Sequence, residues 1–196
     1  MMRVKNMTAK PENIQQTKSG RFSPRWNPGG GEGISGIINL VSDIYNIDQH
    51  CHTWVEIGTL YGESSLLIAS FPFVKKLHCI DMRMNQNLDM VKKRLKHLMG
   101  VKQIELIHDS STNASKKFKE SEIDAIYIDG NHEYQSVTED LSYWFSKIKS
   151  NGFICGHDYG PRWPGVIQAV DEFCASHNQK IIKRYCDSSW MIRKSI

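Results

Sequence analysis

Nothing in this 196-residue chain approaches the run of about 20 apolar residues that a membrane-crossing helix requires, so no membrane partner is expected. The opening stretch, Met1 to Gly20, is polar and lacks the apolar centre of a secretory signal, and a cytoplasmic location is the expectation. Cys51, Cys79, Cys155, Cys174 and Cys186 form no C-x-x-C pair and are odd in number, which argues against a zinc site built on them. Cys79 and Cys155 fall inside apolar runs, where reduced cysteine packs as a small apolar residue. Excess charge is small. The formal net charge is +4, and lysines such as Lys75, Lys92, Lys96 and Lys117 are scattered, so no nucleic-acid partner is expected. Also absent are internal repeats, a dividing linker and the G-x-G-x-x-G pattern of a dinucleotide cradle. With 40% hydrophobic and 23% charged residues, what is left is one ordinary globular domain able to bury a core.

Residues 1–33 read as a flexible N-terminal arm ending in a glycine loop. Trp26 to Gly33 contains three consecutive glycines and can only be turn-like. This arm can reach a neighbouring subunit of a homo-oligomer, and Trp26 can cover a substrate. A single domain is expected over 34–196, opening with a helix over 34–47 whose apolar spacing is amphipathic. Strands at 52–57, 76–81, 104–108, 125–129 and 153–157 then alternate with helices at 63–70, 86–99, 113–119, 137–148 and 165–176. The pattern at 181–185 and 190–193, joined by Asp187-Ser-Ser, is that of an antiparallel hairpin. The expected fold is therefore α/β, a doubly wound, Rossmann-like and mostly parallel sheet closed by that hairpin.

Chemistry gathers where the apolar runs stop. Ala125-Ile-Tyr-Ile ends in Asp129-Gly-Asn-His132, and Phe153-Ile-Cys-Gly ends in His157-Asp158-Tyr159. Ligands bind at the carboxyl ends of strands in open α/β sheets, so these runs deliver Asp129, His132, His157 and Asp158 to one rim. Val55-Glu-Ile-Gly58-Thr-Leu-Tyr61-Gly62-Glu-Ser64-Ser65 reads as strand, glycine turn and helix start. The two glycines permit a close ligand approach, and the helix amides favour an anionic group. Asp81 follows Gly58 by 23 residues (81 − 58), near the ~20-residue offset at which an acid meets a ribose hydroxyl pair. His108-Asp109-Ser110-Ser111 suits an adenine edge, although Asp109 or Ser110 can equally be a helix cap.

The succession V-E-I-G-T-x-x-G-x-S-S, I-D, D-S, I-D-G-N-H-x-Y and G-x-I-x-G-H-D-Y resembles class I S-adenosylmethionine-dependent methyltransferases over about residues 50 to 195. Within them it is most similar to macrocin-type sugar O-methyltransferases, and more distantly to catechol O-methyltransferase. The resemblance implies that Glu56, Gly58, Tyr61, Ser64, Asp81, Met82, Asp109, Ser110 and Asp129 lie along the cofactor. It further implies a histidine base at His132 and aspartate metal ligands at Asp129 and Asp158, with Asp129 serving catalysis as well.

Those roles agree with the chemistry. Methyl transfer to a hydroxyl needs an in-line approach and a deprotonated oxygen, which a divalent cation and a histidine can supply together. Aspartates are the hard oxygen donors that Mg²⁺ accepts. His157 stands where the metal-dependent relatives carry a carboxylate. As a ligand it favours Mn²⁺, Fe²⁺ or Zn²⁺ over Mg²⁺; otherwise it orients Asp158 or touches the cofactor. Tyr159, Arg162 and Trp163 form a stiff aromatic loop suited to a small-molecule acceptor, although Trp163 can equally anchor the loop to the core. The expectation is a divalent-metal-assisted O-methyltransferase acting on a sugar or glycosylated metabolite. Two other readings stay open: a nicotinamide-dependent oxidoreductase on a similar sheet, and a non-catalytic module binding a nucleoside ligand.

Overall fold

Alternate residues of a strand buried between two helical layers must both be apolar, and β4, with Ala125, Ile126, Tyr127 and Ile128 all buried, meets that demand on each face. The computed structural model describes residues 35–195; the arm, the glycine loop with Trp26 and the first expected helix residue, Ile34, lie outside them. Along the chain run α1 (Ser35–Ile47), β1 (Thr53–Ile57), α2 (Glu63–Ser70), β2 (Lys76–Ile80), α3 (Met84–Met99), β3 (Gln103–Ile107) and α4 (Ser111–Ser115). Then come β4 (Ile123–Ile128), α5 (Tyr134–Phe145), β5 (Ile148–Gly156), α6 (Pro164–Ser176), β6 (Ile181–Arg184) and β7 (Trp190–Arg193).

The seven strands form one sheet in the order β3-β2-β1-β4-β5-β7-β6. Strands β1 to β5 pair in parallel, and β7 runs antiparallel to both β5 and β6. Trp54, Cys79, Tyr127 and Phe153 face one layer with α1, α2 and α3. Val55, Ile126, Ile128 and Ile154 face the other with α4, α5 and α6. Cys79 and Cys155 are buried and unbridged, in keeping with the expected apolar packing, and so is Cys51. No helix among the described residues is long and apolar enough to cross a membrane.

Several boundaries depart from expectation. The helix expected to reach residue 148 stops at Phe145, and Ile148 instead opens β5, fully buried and paired with Ile123. A lone isoleucine after an amphipathic helix fits the helical period and the strand period equally well. Helix α4 begins at Ser111 rather than 113 because the Ser110 hydroxyl accepts from the Asn113 amide at 3.2 Å.

Strand register positions the site. Ile57 pairs with Ile128, so Gly58 and Asp129, the next residues of each strand, emerge side by side. Ile128 pairs in turn with Gly156, which brings His157 and Asp158 alongside Asp129. The order of strands reverses between β1 and β4, the crevice where doubly wound sheets take ligands.

Candidate active site

A cavity of about 940 Å³ opens over that crevice. Gly58, Tyr61, Ser64, Asp81, Met82, Asp109, Ser110, Asp129, His132, His157, Asp158, Arg162 and Trp163 all line it. Glu56 and Tyr159 do not. Glu56 lies fully buried beneath the glycine turn. The Tyr159 hydroxyl donates to Asp171 at 2.6 Å, and the Arg184 guanidinium sits over its ring, so the ring faces α6 and β6 rather than the cavity.

The turn after β1 is built from close backbone contacts. At Gly58, φ is +90°, and a β-carbon there would lie 2.0 Å from the Asp129 carbonyl oxygen. Leu60 also has positive φ, 47°, and its amide donates to Asp81 at 2.7 Å. The other Asp81 oxygen accepts from the Arg83 amide at 2.6 Å. Asp81 therefore shapes the turn while facing the cavity.

Glu56 anchors the turn from below, accepting hydroxyl hydrogen bonds from Thr59, Ser64 and Ser65. Burial disfavours its charge and outweighs these donors, pushing the carboxyl up to about 7 from its ordinary 4.5. A carboxyl that binds its proton more tightly in the folded chain makes folding less favourable as pH rises. That loss runs from pH 4.5, where the unfolded chain ionises, to about 7, and amounts to roughly 3 kcal/mol. Glu56→Gln should flatten this decline. Denaturant melts of both proteins between pH 4.5 and 7.5 that stayed parallel would refute it.

At the end of β3, the Asp109 carboxylate accepts from the Ser110 amide at 2.9 Å and pairs with Lys117 at 3.0 Å, which holds its pKa below the ordinary value. Ser110 is the helix cap, and it lines the cavity as well.

The rim of β4 and β5 carries the ionisable cluster. His132 Nε2 lies 2.5 Å from Asp158 Oδ2 and 3.7 Å from Asp129 Oδ1. The Asp158 contact is an ion pair and lacks the alignment of a hydrogen bond. His157 Nδ1 lies 3.2 Å from Asp158 Oδ1 and 3.9 Å from Asp129 Oδ1. Asp158 has φ of 62°, in the left-handed region. The His132 ring stacks on Trp163 at 4.4 Å and 21°, and the Arg162 guanidinium lies 5.5 Å from the Trp163 ring centroid. The indole thus serves as a support for both cations.

Close Asp129 and Asp158 oxygens push His132 up to about 9, against desolvation. Burial opposes charge on His157 too, but Asp158 and Asp129 prevail and raise it to about 9. Burial likewise resists ionisation of Asp158, and the two imidazoles overcome it, holding its pKa well below the carboxylate range.

Asp129, His132 and Asp158 each offer a ligating atom, all within 4.8 Å of one another. The expected metal set was Asp129, His157 and Asp158. The three-residue group includes His132 instead, while His157 Nδ1 lies 3.9 Å from Asp129 and 3.2 Å from Asp158. Two carboxylates and an imidazole suit a divalent cation of the Mg²⁺ to Mn²⁺ kind.

Ser136, Glu139 and Asp140 of α5 also line the cavity and were missed in the sequence. The available signal was Asp140 itself, an acid inside the apolar stripe Val137, Leu141, Trp144.

A family model described as a methyltransferase domain matches residues 55–159, from the glycine turn to the end of the rim cluster. A protein of Acanthamoeba polyphaga mimivirus, itself described as uncharacterized, is 30% identical over 139 residues, covering 63% of this chain. The chain spans 59% of that curated relative. Among solved structures, an rRNA methylase from Streptococcus thermophilus superposes with a TM-score of 0.60 at 16% identity, over 81% of this chain and 95% of the other. The O-methyltransferase NovP gives 0.59 at 16% identity, over 82% and 78%. Likeness at such identity speaks for the fold alone, and its inclusion of an rRNA methylase means the fold does not decide against nucleic acid as acceptor. The family match covers more than half of the 196 residues, and the chain belongs to the methyltransferase-domain family, with the class I fold of S-adenosylmethionine-dependent enzymes.

Proposed function

We propose that this protein moves a methyl group from S-adenosylmethionine to a hydroxyl oxygen of a small molecule, with a divalent cation at the rim. The acceptor we favour is a sugar or glycosylated metabolite, as in macrocin-type O-methyltransferases. The observation that carries the reading is the convergence of Asp129, His132 and Asp158 within 4.8 Å beside the glycine turn. The family match decides against the nicotinamide reading.

In this reading the turn from Gly58 to Ser64 takes the amino-acid end of the cofactor, Asp81 the ribose hydroxyls, and Met82 with Ser110 the adenine. When bound, the cofactor supplies an electrophilic methyl carbon. Asp129 and Asp158 would hold the cation, which when bound would supply the charge that orients the acceptor and lowers the pKa of its hydroxyl. His132 takes the proton. Flanked by the Asp129 and Asp158 carboxylates it is held protonated up to about 9, and a cation between Asp129 and Asp158 would release it to act as a base. Arg162, exposed at the mouth, is placed to meet an anionic substituent of the acceptor.

A second reading follows from the geometry that places His132 among the three potential ligands: the imidazole ligates the cation and another group takes the proton. Calorimetry with S-adenosylmethionine tests the cofactor site, and we expect measurable binding. EDTA should cut turnover by at least about 10-fold, with recovery on adding Mg²⁺ or Mn²⁺. Full turnover in EDTA would remove the cation from the proposal.

A further inference from the structure

Helix α5 buries an apolar stripe of Val137, Leu141 and Trp144, and Asp140 sits within it, only 5% exposed. An acid in that position is costly unless something meets it. Its protein partner is the Ser111 hydroxyl, which in turn accepts from the Trp144 indole N–H at 2.8 Å. With the indole N–H bound at the serine oxygen, the serine hydroxyl proton is still available to Asp140. Among the described residues, the charge acting on Asp140 comes from Glu139, of the same sign. Burial raises the Asp140 carboxyl to about 6.

The carboxylate nonetheless lines the cavity. Gly130 leaves space beside it: a β-carbon there would lie 3.3 Å from Ile57 and in ordinary contact, 3.9 Å, with Asp140 Oδ2. A carboxylate offers about four acceptor sites, and one serine proton leaves most of them unused. The other cavity acids at the ends of β2 and β3 are engaged. Asp81 accepts two backbone amides, and Asp109 holds Lys117 and an amide.

We propose that Asp140 is the specificity residue for the purine, accepting an N–H of the adenine exocyclic amine across the opening left by Gly130. Ser111 and Trp144 are positioning residues that fix the carboxylate's orientation. The assignment rests on the S-adenosylmethionine reading of the cavity.

The test is calorimetric, with S-adenosylhomocysteine and its inosine counterpart, in which a carbonyl oxygen replaces the amine. A site built to accept an N–H should reject the carbonyl ligand, and the wild-type protein should favour the amine by at least about 10-fold. In Asp140→Asn, whose amide can donate to that carbonyl, the ratio should fall below about threefold. Asp140→Ala should discriminate as weakly, and a thermal melt matching wild type confirms that each variant is folded. Folded variants that keep the wild-type ratio would overturn the proposal. A wild-type protein that binds both ligands equally would also overturn it while leaving the cofactor reading intact. One that binds neither removes the cofactor reading, and Asp140's role with it.

Discussion

Replacing His132 with alanine is expected to lower kcat for methyl transfer by about 10²–10⁴-fold, the range associated with losing a positioned general base. Cofactor affinity should change little, because His132 stands at the acceptor side of the rim, stacked on Trp163 and facing Asp158. Loss of the stack itself should cost the fold only about 1 kcal/mol. The same variant separates the two roles its geometry allows. A base leaves Mn²⁺ affinity unchanged, whereas a ligand takes at least about 10-fold of that affinity with it. A variant retaining kcat within threefold of wild type would show that His132 is neither.

The other large effect is structural. Gly58→Ala is expected to destabilise the protein by about 3–5 kcal/mol, combining left-handed strain with a main-chain collision. The β-carbon would lie 2.0 Å from the Asp129 carbonyl oxygen, and neither side can yield. The Gly58 amide is tied to Ile80 at 2.9 Å, and the Asp129 amide to Ile57 at 2.8 Å. If the chain still folds, the displaced carbonyl shifts Asp129, and transfer should fall with stability. Gly100→Ala is the control, since that site has right-handed geometry and nothing within 4 Å of the new carbon. Urea titration should leave Gly100→Ala near wild type, and a Gly58→Ala within 1 kcal/mol of it would contradict the account.

The sheet was legible because its strands are short apolar runs stopped by an acid, and the rim cluster was legible for the same reason. Once β1, β4 and β5 pair in parallel, Asp129, His132 and Asp158 have no choice but to meet. The hairpin was equally plain from Asp187-Ser-Ser between two apolar pairs. What escaped depends on side-chain direction, which spacing does not encode. Tyr159 belongs to the aromatic loop after β5, yet the acceptor that takes its hydroxyl is Asp171, twelve residues on and within α6. Glu56 sits in the glycine motif, but strand alternation sends it beneath the turn, where hydroxyls hold it. Asp140 was hidden by its neighbours, whose apolar spacing marked α5 as packing.

Asp158 occupies a backbone conformation that glycine would enter freely and that other residues adopt at a cost of about 1 kcal/mol or more. An acid there makes the molecule slightly easier to unfold than it would otherwise be. The same tension aims a carboxylate at two imidazoles at once, so this corner is already arranged before any ligand arrives.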